Sequence, residues 1–112
     1  MSLRVLQECS HVIVNSSLTT IPVVAAVATQ RVSIFKMILT IGTPAINITI
    51  QDTAGAALSQ AFQLAVNGAI VVDVPNNDEP WWNSGTGLGI QLVQSSSGTT
   101  PIGLDLWYIQ GA

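Results

Sequence analysis

Charge is what this sequence has least of. Charged side chains make up 8% of its 112 residues, against about 25% in ordinary soluble domains. The cations are Arg4, Arg31 and Lys36, and the net charge is -3. A phosphate-binding face needs several clustered cations, so no nucleic acid partner is expected. Cysteine occurs once, at Cys9, which excludes an intrachain disulfide. Histidine also occurs once, at His11. Zinc takes three or four nitrogen or sulfur ligands, so one chain cannot build a structural zinc site from this pair. The longest apolar segments, "IPVVAAVA" (21–28) and "VSIFKMILTIG" (32–42), are too short for a bilayer span, and Lys36 interrupts the second. No membrane segment is expected. Glu8, Ser10 and His11 break any signal-peptide core near the N-terminus, so the expectation is a protein made in the cytoplasm and kept there, or carried out in a particle.

What is present is apolar and β-prone. Hydrophobic residues make up 48% of the chain. Area scaling for a chain of this size gives a folded surface of ~5,900 Å² against ~17,000 Å² unfolded, enough for one core. With so few charges, part of that surface must be apolar, and such patches mark interfaces. Self-association is expected, as a closed trimer first and a dimer second.

The chain reads as short strands separated by turn residues. "HVIVNS" (11–16) is one. In "RVSIFKMILTI" (31–41), straight alternation puts Val32, Ile34 and Lys36 on one face and Ser33, Phe35, Met37 and Leu39 on the other. "AINITIQD" (45–52) points Ile46, Ile48 and Ile50 inward. "LSQAFQLAV" (58–66) and "AIVVDV" (69–74) flank Asn67-Gly68, which signals a type I′ hairpin. "LGIQLVQS" (88–95) alternates again. In "IGLDLWYIQ" (102–110), Tyr108 shares a face with Leu104 and Leu106, and Trp107 lies on the other. In "TTIPVVAAVATQ" (19–30), the alanines allow a short helix but Pro22 and the valines favour extended chain. Turns fall at "GTP" (42–44), "DTAG" (52–55), "PNND" (75–78) and "SSSGTTP" (95–101). This pattern predicts an all-β fold: a single-domain antiparallel β-sandwich over residues 1–112, with jelly-roll the leading topology.

Candidate chemistry is thin. Cys9 and His11, two apart, share a face on a strand, but no third group orients the imidazole, and a buried thiol beside a half-exposed histidine is the expectation. Asp73, Asp78 and Glu79, with Asn76 and Asn77, form the one acidic cluster, yet their spacing matches no calcium loop. Asp78 and Glu79 are adjacent, whereas glycosidase carboxylates normally come from separate strands. "GTGLG" (85–89) lacks the Lys-Ser/Thr of a phosphate loop. Asn15-Ser16-Ser17 and Asn47-Ile48-Thr49 match the glycosylation pattern, which has no meaning without export. No catalytic residue, metal or cofactor is assigned.

The tryptophans carry what is left. Trp81 and Trp82 face opposite ways if extended, one able to enter the sandwich and one to face out. Trp81, Trp82 and Trp107 are the candidate interface residues; at least one of the three is expected to be core, with Trp81 or Trp82 the first choice.

From Arg31 onward, "RVSIFKMILTIG", "NITIQDTAG", "QLAVNGAIVVDVP", "EPWWNSGTGLGIQLVQSSSG" and "GLDLWYIQ" together resemble the small all-β decoration, or cement, proteins encoded beside tailed-phage capsid genes. The resemblance implies a jelly-roll-like sandwich, often a homotrimer, that binds the major capsid protein on the outside of a bacteriophage head and stabilises the virion without enzymatic chemistry. Residues 1–30 lie outside it and would suit a docking arm. The same sandwich and tryptophans would also serve a tail-associated receptor- or carbohydrate-binding module.

Overall fold

The structure is a computed structural model that describes residues 7–75, 77, 79–95 and 100–111. Among the described residues, nine strands run β1 (Ser10–Ser16), β2 (Thr20–Val24), β3 (Arg31–Ile41), β4 (Ile46–Asp52), β5 (Phe62–Leu64), β6 (Ala69–Val72), β7 (Trp82–Asn83), β8 (Ile90–Gln94) and β9 (Ile102–Gly111). They form two antiparallel sheets packed as a sandwich, as the alternation predicts. The first has the order β1-β9-β3-β6, with β7 also on β3; the second has the order β2-β8-β4-β5. The pairs β1·β9, β2·β8, β3·β6 and β4·β5 nest one inside the next along the chain.

The core lies between the sheets. Ile46, Ile48 and Ile50 from β4, Ile90 and Leu92 from β8, and Ile102, Leu104 and Leu106 from β9 meet Val32, Ile34, Met37 and Leu39 of β3. The accessible surface is 5726 Å², close to what scaling gives for a monomer of this size (~5,900 Å²). Gln94 takes a core position at the end of β8. It is 2% exposed, and its Nε2 donates to the carbonyls of Ser17 (3.0 Å), Leu18 (2.7 Å) and Thr100 (3.3 Å). A buried amide is tolerated when its partners are supplied.

Two local readings are corrected. Straight alternation fails in β3, where the register against β9 shifts between Ile34 and Lys36. Phe35 is the extra residue of a β-bulge. The bulge resets the phase, so Val32 and Ile34 before it and Met37, Leu39 and Ile41 after it all face the core. Asn67-Gly68 is not a hairpin. β5 pairs with β4 in one sheet and β6 with β3 in the other, so the turn carries the chain between layers. Only Asn67 has positive φ, at 56°. The Gly68 amide donates to the Ala65 carbonyl at 2.9 Å, which puts Asn67 at the third position, as in a type II turn. The Asn67 amide and the Gly68 carbonyl are taken by Gly42 and Ile41 at the end of β3. The strand expected over 58–66 accordingly shortens to Phe62–Leu64, and the stretch 19–30 holds a strand, β2, with a bulge between Pro22 and Val24.

Candidate functional site

The outer face of the first sheet holds the densest group of unusual side chains. Alternation along β9 sends Asp105, Trp107 and Ile109 outward, and pairing aligns them with outward residues of β1, β3 and β6. One row reads His11, Trp107, Lys36; the next reads Ile13, Asp105, Ile38, Val71. Ile13 and Val71 are each 65% exposed.

Around Trp107 the contacts are close. The His11 imidazole stacks on the indole at a centroid distance of 4.2 Å and an interplanar angle of 8°. On the other strand, Lys36 Nζ lies 5.1 Å from the Trp107 ring centroid, within cation–π range. His11 Nε2 is 2.9 Å from Asp105 Oδ1. With its proton on Nε2, the imidazole donates to this carboxylate oxygen. Asp105 is the orienting group that sequence spacing could not supply, since it lies 94 residues away. Lys36 also reaches Asp73 Oδ1 at 3.7 Å. Lys36 and Asp73 thus meet each other, and Asp105, which lies between Ile13 and Ile38, is engaged by His11.

Cys9 is not part of a dyad. It packs with Ile109 against Phe35 and Val74, a small cluster at one end of this face made possible by the bulge. Burial, and secondarily the negative charge of Glu8, pushes its thiol pKa up, opposite to what a nucleophile needs.

The two adjacent tryptophans divide as their alternation requires. Trp82, on β7, packs against the main core, with its ring edge-on to Phe62 at 6.0 Å. Trp81 is 48% exposed. Its Nε1 donates to the Asp73 carbonyl at 2.6 Å, which fixes the ring at the side of an open groove of about 510 Å³ lined by Asp73, Val74, Pro75, Asn77 and Trp81. Of the acidic cluster, Asn76 and Asp78 lie outside the described residues; Asp73 is engaged by Lys36, and Asn77 Oδ1 accepts from the Glu79 amide. Among the described residues, no three His, Cys, Asp or Glu side chains converge as a metal site would require.

Thus Trp81 is exposed, Trp107 is partly buried between His11 and Lys36, and Trp82 supports the core. Sequence reasoning missed Ile13, Ile38 and Val71. Their exposure depends on which strands neighbour one another, and β-branched residues read equally well as core. Comparison with family models, with curated proteins and with solved structures gives no match.

Proposed function

We propose that the chain is a non-enzymatic structural protein of a virus particle, a decoration or cement protein that binds the outside of a bacteriophage head and reinforces it. The nested pairing of β1·β9, β2·β8, β3·β6 and β4·β5 is what a jelly roll requires, with β7 as an addition, and supports that finer reading of the sandwich. The observation that carries the function is the outer face of the first sheet. It combines strongly exposed Ile13 and Val71 with Trp107 and with few charges, of which Lys36 is paired with Asp73 and Asp105 is hydrogen-bonded to His11. Such a face gains by covering apolar area and depends little on screened charges. Trp107 and Trp81 are its aromatic anchors, the residue type that dominates interface energetics. Its partner is the major capsid protein, met after synthesis in the host cytoplasm. Reinforcement follows from mass action: a ligand bound only to the assembled shell stabilises it by ~2.7 kcal/mol per site at a hundredfold excess over Kd. The test is heat challenge of particles grown with and without the gene. The mutant heads should release DNA at lower temperature, and added protein should restore them. Equal heat resistance overturns the reading.

The groove beside Trp81 favours a second reading, a tail-associated carbohydrate- or receptor-binding module. An exposed, hydrogen-bond-anchored indole next to Asp73 and Asn77 is built for stacking a sugar ring. Quenching of tryptophan fluorescence by glycans, lost in Trp81→Ala, would favour it over the head-binding reading.

A further inference from the structure

Edge strands present unpaired backbone groups, and proteins normally blunt them. In this sandwich most edges are blunted. β2 contains Pro22 and a bulge, β5 has three residues, and the far side of β3 is divided between β6, with four residues, and β7, with two. β1 is different. It has seven residues in unbroken register with β9 and contains neither proline nor lysine. No described strand pairs with its outer side.

Its sequence, Ser10-His11-Val12-Ile13-Val14-Asn15-Ser16, is close to a palindrome centred on Ile13. We propose that β1 pairs antiparallel with β1 of a second copy of this chain, across a two-fold axis at Ile13, so that two first sheets become one continuous sheet.

An isologous contact must be complementary to itself, and this strand is. With Ile13 on the axis, Ser10 faces Ser16, His11 faces Asn15, Val12 faces Val14 and Ile13 faces its own copy. Cross-strand neighbours share a face. The valine pairs therefore lie over the two cores, where Val12 and Val14 already pack. Ile13, exposed in the single chain, gains an apolar neighbour. No like charges meet: the single titratable side chain of the strand, His11, is held by Asp105 and faces an amide. A foreign strand would need no such symmetry, which is why a second copy is the occupant. The pairing consumes the open edge, so it stops at two. This selects the dimer over the closed trimer expected from the resemblance. It is independent of the capsid reading, because it is tested on the isolated protein.

Sedimentation equilibrium of the full chain at micromolar concentration should give twice the chain mass. Ile13→Lys places two ammonium groups on the axis. It should give the single-chain mass at the same concentration with an unchanged circular dichroism spectrum, because residue 13 is solvent-exposed in one chain. In a Cys9→Ser background, Ile13→Cys should form a disulfide-linked dimer under mild oxidation. Asn15→Cys should not, since the two copies of residue 15 lie ~13 Å apart along the strands. A single-chain or trimer mass for the wild type overturns the proposal. So does a dimer that survives Ile13→Lys, or cross-linking at residue 15 in place of residue 13.

Discussion

Trp81 and Trp82 differ in what surrounds them, although the chain makes them neighbours. Trp82 packs on the core and meets Phe62 edge to face. Truncating a large packed aromatic costs about 3 kcal/mol, so Trp82→Ala should lower Tm by roughly 12 °C in a domain of this size. Trp81 is half exposed, and its indole nitrogen makes one hydrogen bond to the Asp73 carbonyl. Trp81→Ala should therefore shift Tm by less than about 4 °C. Thermal melts of the two variants separate the support residue from the surface one. Cys9 gives a second residue-level expectation. Burial and Glu8 raise its thiol pKa, so the folded chain holds the proton where the unfolded chain releases it. Stability should then decline as pH rises through the unfolded thiol's pKa, since the unfolded state binds fewer protons there. Iodoacetamide at pH 8 should modify native Cys9 more slowly than Cys9 in urea, and Cys9→Ser should flatten the alkaline decline. Alternation made the division of the tryptophans legible, but their adjacency alone did not say which faces inward. The His11–Asp105 contact was not legible, because it joins residues of β1 and β9 that only the sheet order brings together.

At the scale of strands, what was legible was the element itself and what escaped was its neighbour. β4 and β8 follow from strict alternation, since one face of each is buried. β3 carries the same signal, yet the bulge at Phe35 breaks its phase. An apolar residue on either side of the bulge conceals the break, because Ile34 faces the core and Phe35 packs against Val74. β7, two residues in a loop rich in turn formers, has no periodicity to detect; pairing of Ser33 and Ile34 with Asn83 and Trp82 creates it. Asn67-Gly68 shows the opposite failure, a strong local signal used for another purpose. The turn needs positive φ at Asn67 alone. Gly68 is required for a different reason: an added Cβ would lie 2.8 Å from the Ala65 carbonyl oxygen. Gly68→Ala should cost ~1–3 kcal/mol by crowding, whereas Asn67→Gly, which keeps access to positive φ, should stay within about 0.5 kcal/mol of the wild type. Urea unfolding of both variants measures the difference.

For the whole molecule, low charge and high apolar content raise the expectation of a covered surface, and the sandwich shows which apolar side chains stand exposed. Ile13 and Val71 stand out on the outer face of the first sheet, with Asp105 hydrogen-bonded to His11 and Lys36 paired with Asp73. Composition could not choose that face, because exposed and buried valines and isoleucines are chemically identical until the strands are ordered. The central claim is that this surface holds the protein on the outside of a capsid. Quantitative mass spectrometry of purified particles tests it most directly, by measuring copies of this chain per copy of the major capsid protein. The account predicts a fixed ratio with many copies per particle, unchanged when tails are removed from the heads. Absence from the particle, or a few copies that leave with the tails, would contradict it.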